Sequence, residues 1–185
     1  MPPLTKSFNS MIENVILVDE HDNQIGVEEK HSAHKAGKLH RAVSVFLFNS
    51  KGETLLQKRE SSKYHSGGLW TNTCCGHQRP GDETLATAKR KLKEEMGIEC
   101  ELKEIFSFIY FVKVNNGMHE HELDHVHVGI FDGEPKPDPA EAEGYRWVSP
   151  ESLTKEIEAH PEQFTYWLKE CWPRVKKEQI LNIGY

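Results

Sequence analysis

An α+β sandwich is the fold class that the sequence predicts, on three observations. Strand-like apolar runs and helix-like periods are interleaved along the chain. Several strand pairs are joined by turns short enough to make hairpins. No long linker, repeat or low-complexity tract divides the 185 residues, so residues 1–185 read as one domain with a proper core.

The elements follow in order. Residues 15–18 are Val-Ile-Leu-Val, and Asp-Glu-His-Asp-Asn turns them into residues 24–28, a first hairpin. Residues 42–48 are almost continuously apolar, as expected of a strand buried on both faces. Asn49-Ser-Lys-Gly52 turns that strand into residues 54–58. Gly81-Asp82 opens a helix on which Leu85, Ala88, Leu92 and Met96 recur at helical spacing, and Gly97 stands where a left-handed cap ends it. Residues 105–114 form a strand, and Asn115-Asn116-Gly117 turns it into a partner that ends near Phe131. The segment EPKPDP is a loop and residues 145–148 a short strand. Ser149 caps a helix with Pro150 in its first turn. Phe164, Trp167, Leu168 and Cys171 make one face of a last helix.

Composition narrows the function. Apolar residues are 37% and charged residues 28%, the balance of a soluble globular chain. A net charge of -6 argues against a general nucleic-acid or acidic-membrane binder, while leaving room for a small anion gripped by a local basic cluster. No run approaches the length of a membrane helix, and MPPLTKSFNS lacks the charged and apolar regions of a signal peptide. The four cysteines, Cys74, Cys75, Cys100 and Cys171, make no C-x-x-C pair and read as free thiols in a reducing cytoplasm. Eleven histidines are many for this length and hint at metal.

The stretch GMHEHELDHVHVGIF, residues 117–131, concentrates the question. Successive side chains of a strand point to opposite faces. One face then carries His119, His121, Leu123, His125 and His127, and the other Glu120, Glu122 and Asp124 followed by Val126 and Val128. An H-x-H-x-x-x-H-x-H strand invites a metal assignment, and spacing alone does not choose between the two faces.

From Gly76 the chain reads GHQRPGDETLATAKRKLKEEMGI. This segment, residues 76–98, resembles the Nudix box, G-x5-E-x7-R-E-U-x-E-E-x-G-U. Gly76, Arg90, Leu92, Glu94, Glu95, Gly97 and Ile98 match; Asp82 stands for the first Glu and Lys91 for the Glu after the Arg. The resemblance implies a Nudix-type α/β/α sandwich with a mixed sheet and additional N- and C-terminal elements. The carboxylates of such a loop-helix-loop hold a hard divalent cation, which in turn holds a pyrophosphate. Nudix hydrolases generally use the Glu that Lys91 replaces in their metal cluster. A cation there repels a second metal, so the box suits holding a diphosphate better than hydrolysing one.

Upstream, GLWTNTCCGHQRPGDE is similar to the W-T-N-[ST]-x-C-G-H-P motif of type I isopentenyl-diphosphate isomerases, a Nudix branch. Trp70, Thr71, Asn72, Cys75, Gly76 and His77 match, and Gln78 replaces the usual Pro. EKHSAHKAGKLHRAVSVFLFN, KRESSKYHSGGLWTNT and HEHELDHVHV resemble three further family segments, in order, so the likeness covers about residues 15–172. It implies a divalent metal, Mn²⁺, Mg²⁺ or Zn²⁺, on His34, His40, His77, Glu120 and Glu122. It implies Cys75 and Glu122 as the proton-transfer pair, with Tyr110 assisting Glu122 and the Trp167 indole facing a carbocation. It further implies a Mg²⁺ on Glu95 bound with the substrate, and a diphosphate held by Lys30, Arg59, Lys63 and Lys91. The expected reaction is isomerisation of isopentenyl to dimethylallyl diphosphate, with Glu122 and Tyr110 protonating and Cys75 as base. The rival expectation is a Nudix pyrophosphohydrolase acting on a nucleotide derivative. A third reading is a metal-binding module without turnover, which would lack one of these groups.

Overall fold

A computed structural model describes residues 13–182, with side chains described to residue 178. The first hairpin pairs β1 (Asn14–Val18) with β2 (Gln24–Glu29). A short helix α1 (Lys30–Ala36) follows directly, a helix the sequence reading did not foresee. Glu29 caps it, its carboxylate accepting from the backbone N–H groups of His31 and Ser32, and Gly37 ends it in the left-handed region at φ 65°.

Strand β3 (His40–Phe48) is the hub of the sheet. It meets β1 at Leu17 and, through a tight turn, β4 (Thr54–Arg59) at Thr54. It pairs antiparallel with β6 (Cys74–His77) and parallel with β8 (His119–Ile130) along its whole length, His40 opposite Glu122 and Phe48 opposite Ile130. β4 pairs with β5 (Trp70–Thr71) and β9 (Ala142–Val148), and β8 with the long β7 (Leu102–Lys113). The result is a mixed, nine-stranded sheet among the described residues.

The run at residues 42–48 is buried throughout, as its composition requires. Val43, Val45 and Leu47 pack with Ala88, Leu92 and Met96 of helix α2 (Thr84–Met96) on one side of the sheet. Phe46 and Phe48 pack on the other side with Leu153 of α3 (Pro150–Ala159) and with Leu168, Cys171 and Trp172 of α4 (Tyr166–Asn182). Helices therefore cover both faces of the sheet, the α+β sandwich expected.

Several boundaries differ from expectation; β3 starts at His40 rather than residue 42 and β9 at Ala142 rather than residue 145. α2 begins at Thr84 rather than Gly81, because Gly81 sits at φ 89° in a turn where the Asp82 N–H donates to the Arg79 carbonyl. Phe164 precedes α4 and forms an isolated parallel bridge to Trp70, although it still packs in the same core. β7 starts at Leu102 and carries a bulge between Glu104 and Phe106. The bulge places Glu104 opposite His127 on one face, and Phe106, Phe108 and Tyr110 opposite Val126, Asp124 and Glu122 on the other.

Candidate active site

The register of the sheet assembles the site. His40 lies opposite Glu122, and Ala42 lies opposite both Asp124 and His77; Ser44 lies opposite Cys75. Pleating therefore puts His40, Cys75, His77, Glu120, Glu122 and Tyr110 on one side of the sheet. α1 adds His34 from outside. One ligand atom from each of His34, His40, His77, Glu120 and Glu122 lies within 4.8 Å of all the others.

The histidines are held for this arrangement. His34 Nδ1 lies 2.6 Å from the Lys30 carbonyl and His40 Nδ1 lies 2.8 Å from the Lys38 carbonyl. Each Nδ1–H donates to a backbone oxygen, which leaves the Nε2 lone pair free to bind. Both Nε2 atoms are buried without a hydrogen-bond partner, and His34 Nε2 stands 3.4 Å from Glu120 Oε1. Buried polar atoms without partners are costly, and here two of them converge beside Glu120. Together with Glu120, His77 and Glu122 they form a three-nitrogen, two-carboxylate donor set fitted to one divalent cation, with histidines oriented as metal ligands usually are.

The electrostatics define the charge state without a cation. Burial opposes the charge on Glu122, but contacts from His40 and His77 outweigh it and hold the carboxyl well below the usual range. His77 Nε2–H donates to Glu122 Oε1 over 2.8 Å, and burial pushes the His77 ring down to about 4, so it is neutral near pH 7. Tyr110 O–H donates to Glu122 Oε2 over 2.6 Å; burial and the neighbouring carboxylates keep it a phenol. Burial pushes the Cys75 thiol up, with Arg59 opposing and Glu95 and Glu122 reinforcing. The ligand-free protein thus keeps the proton on Cys75 and the charge on Glu122. The sequence reading expected the reverse, a cysteine base activated by a positive field. Burial is the first cause of this order, and the expected cysteine base belongs to the protein with its metal and substrate bound, where cations beside the thiol would lower it.

Cys75, Glu122, Tyr110 and Trp167 line a single cavity of about 150 Å³. Glu95 and all four basic residues expected to hold a diphosphate, Lys30, Arg59, Lys63 and Lys91, line it too. The lysines are paired with carboxylates: Lys30 with Glu13 at 3.0 Å, Lys91 with Glu95 at 2.9 Å, and Lys63 with Glu141. Gln57 Nε2 donates to the other oxygen of Glu95 over 3.0 Å, fixing that carboxylate at the cavity wall. Among the described residues Arg59 has no carboxylate partner; it donates to the Ser66 and His65 carbonyls and lies 5.3 Å from the Trp167 ring. The box Arg90 braces the floor, donating to the His77 carbonyl over 3.3 Å and pairing with Glu94 at 3.2 Å.

Four residues lining the cavity were not anticipated: the lysine partners Glu13 and Glu141, and Tyr64 and His65. His65 is buried, with Nε2 2.7 Å from Glu120 Oε1 and its ring edge-on to Trp167. Tyr64 also lines the cavity. Both lie in the polar loop KYHSGG, where no periodicity points to a direction. His119, His121, His125 and His127 stay outside the cluster, as the family resemblance implied and spacing could not. All four cysteines are free. Among the described residues no helix is long and apolar enough to cross a membrane.

Comparison with known proteins bears on the same features. The chain matches the NUDIX domain over residues 38–168. It is 49% identical, over 93% of its length and 91% of the relative's, to isopentenyl-diphosphate Delta-isomerase 2 of Aromatoleum aromaticum. It is 52% identical to the isopentenyl-diphosphate Delta-isomerase of Serratia proteamaculans, over 85% of this chain and 88% of that one. Among solved structures, the DR0079 protein of Deinococcus radiodurans superposes with a TM-score of 0.74 at 22% identity, covering 88% of this chain and 98% of that chain, a likeness of fold. With a sheet and box of Nudix type and half its residues shared with these relatives across nearly its whole length, the chain belongs to the isopentenyl-diphosphate Delta-isomerase family of the Nudix superfamily.

Proposed function

We propose that this protein isomerises isopentenyl diphosphate to dimethylallyl diphosphate for isoprenoid biosynthesis, with Cys75 and Glu122 exchanging protons with the substrate across one cavity. The observation that carries the reading is the meeting of a half-buried thiol and a buried, tyrosine-braced carboxylate in a pocket rimmed by four cationic side chains.

The reaction requires that shape. The terminal double bond of the substrate is unactivated. Its migration adds a proton at carbon 4, passes through a tertiary cation at carbon 3 and removes a proton from carbon 2. An acid and a base must stand on either side of the chain, and water must be kept from the cation. In the ligand-free charge state Cys75 holds a proton to give and Glu122 a lone pair to receive one. The reverse order requires bound cations to lower the thiol first. In either order a turnover leaves the pair's proton on the opposite member, so it must return before the next cycle. Tyr110, already donating to Glu122, steadies that carboxylate through both states. The Trp167 indole offers its face to the cation, an attraction worth ~2 kcal/mol or more in a dry site.

His34, His40, His77, Glu120 and Glu122 are the residues that would hold a divalent cation, Mn²⁺, Mg²⁺ or Zn²⁺. That cation supplies a fixed positive charge that orients Glu122 and tunes its proton affinity. A second site, a Mg²⁺ shared between Glu95 and the diphosphate, suits the buried, Gln57-anchored carboxylate; Lys91 would then turn from Glu95 to phosphate. Lys30, Arg59 and Lys63 complete the grip, each lysine exchanging a carboxylate for a phosphate oxygen. The four free thiols fit a reducing cytoplasm.

The relatives named as isomerases, and Lys91 in the position of a box glutamate, both weigh against the hydrolase reading. The test is incubation of isopentenyl diphosphate with the metal-loaded protein and Mg²⁺ in heavy water. Deuterium-bearing dimethylallyl diphosphate is the expected product. Release of nucleoside monophosphate from a dinucleotide panel with no isomerisation would reverse the conclusion.

A further inference from the structure

The motif Trp-Thr-Asn upstream of Cys75 contains Thr71, whose side chain is buried behind the cavity wall rather than lining it. Thr71 is fully buried, as are Asn72 and Thr165, and its hydroxyl has three partners. Trp167 Nε1, Asn72 Oδ1 and Thr165 Oγ1 each lie 2.9 Å from Thr71 Oγ1.

Counting donors fixes every proton in this junction. An indole N–H can only donate, and a hydroxyl has one proton and two lone pairs. Asn72 Nδ2 donates to the Val45 carbonyl over 3.1 Å and to the Cys74 carbonyl over 2.7 Å, so Oδ1 is the atom turned to Thr71. An amide oxygen only accepts, so the Thr71 proton goes to Asn72. Its two lone pairs then take the indole N–H and the Thr165 O–H. The one proton and both lone pairs of Thr71 are then used, so its hydroxyl cannot rotate without losing a bond. Outside the junction, the Thr165 N–H donates to the Trp70 carbonyl over 3.0 Å, which ties the start of α4 to the same strand.

One hydroxyl therefore connects two walls of the cavity that come from distant parts of the chain. Through Asn72 it reaches the carbonyl of Cys74, next to Cys75; through the indole it reaches Trp167. We infer that Thr71 is a positioning residue that sets the Trp167 indole against the reacting carbons and keeps it in register with the Cys75 strand. The inference rests on the cation-facing role proposed for Trp167.

Thr71→Val keeps the shape and removes the junction; Thr71→Ser keeps the hydroxyl. A displaced indole weakens stabilisation of the cation more than binding of the diphosphate, so kcat should fall roughly tenfold or more in Thr71→Val with KM little changed. Thr71→Ser should restore kcat. The indole N–H resonance of Trp167, assigned by its loss in Trp167→Phe, should exchange slowly with solvent in the wild type and Thr71→Ser and quickly in Thr71→Val. In a Trp167→Phe background, Thr71→Val should lower kcat no further. Full kcat in Thr71→Val, beside a slow Trp167→Phe, overturns the positioning role alone; full kcat in Trp167→Phe overturns the indole's role and the inference with it. An equal kcat loss in both backgrounds also overturns it, since the threonine would then act without the indole. Should Thr71→Val not fold, Thr165→Val opens the junction from its other side. A kcat loss that vanishes in the Trp167→Phe background supports the inference, and a loss equal in both backgrounds overturns it.

Discussion

The two faces of β8 differ in what packs on them more than in what they carry. Both are rich in titratable side chains. On one, Glu120, Glu122 and Asp124 are buried against His34, His40 and His77, and Tyr110 donates to Glu122. On the other, His125 sits between Asp22 at 3.1 Å and Glu104 at 2.8 Å, His121 Nδ1 meets the Gly37 carbonyl, and Leu123 packs with Ile16 and Val18 of the first hairpin. The histidine face pairs His121 and His125 with local groups; His119 Nδ1 and His127 Nε2 are also buried without a hydrogen bond, but they join no metal-capable group among the described residues, and the face closes over a small apolar cluster. The carboxylate face leaves ligand atoms without partners, aimed at one point beside a cavity. Density of histidine or glutamate does not make a site; convergence of unmet buried atoms does.

The sharpest way to break this comparison is to substitute one residue on each face. Glu122→Gln preserves size and loses the proton-transfer group, and the rate of isomerisation should drop by about 10²–10⁴-fold. His125→Gln should leave the rate at the wild-type level. A large loss from His125→Gln would show that the histidine face takes part in the chemistry.

A second contrast concerns stability. Leu123→Ala opens a gap beneath the first hairpin, and unfolding free energy should fall by roughly 2–5 kcal/mol, read by denaturant titration. Activity per folded molecule should be unchanged. A kcat loss at constant stability would place Leu123 in the functional machinery.

The smallest effect expected is a pH dependence. Asp124 is fully enclosed, accepts from Ser44 Oγ over 2.7 Å, and is pushed up to about 8 by burial and by the Glu122 charge. An acid raised in the folded state binds its proton more tightly there than in the unfolded chain. Its stabilising contribution is complete below the unfolded value near 4 and is lost as pH rises toward 8. Asp124 therefore removes stability from the metal-free protein across that interval, against Glu122 and His77, whose lowered values act the other way, and Asp124→Asn should shift the slope toward greater stability at the upper end. An unchanged slope in Asp124→Asn would mean that other groups set it.

Much of this was legible in the sequence, and the exceptions have physical causes. Alternation along β8 defined its two faces, and the apolar run at residues 42–48 defined the buried hub strand. The choice between the faces came from resemblance, because which partner packs where is a property of the fold. α1 escaped notice since it spans only seven residues, mostly polar, and owes its start to the side chain of Glu29. His65 escaped because a polar loop has no period to read. The ionisation of Cys75 and Glu122 in the ligand-free protein was not legible, because it depends first on burial and then on the balance of Arg59 against Glu95, Glu122 and Asp124 around the thiol, which exists only in three dimensions.

The central claim, that Cys75 and Glu122 confront the substrate from one cavity, is tested most directly by deuterium incorporation in two variants. Cys75→Ala and Glu122→Gln, each folded and metal-loaded, are incubated with isopentenyl diphosphate in heavy water and followed by NMR. Neither should yield labelled dimethylallyl diphosphate at a measurable fraction of the wild-type rate. Labelled product from Cys75→Ala at the wild-type rate would contradict the claim outright.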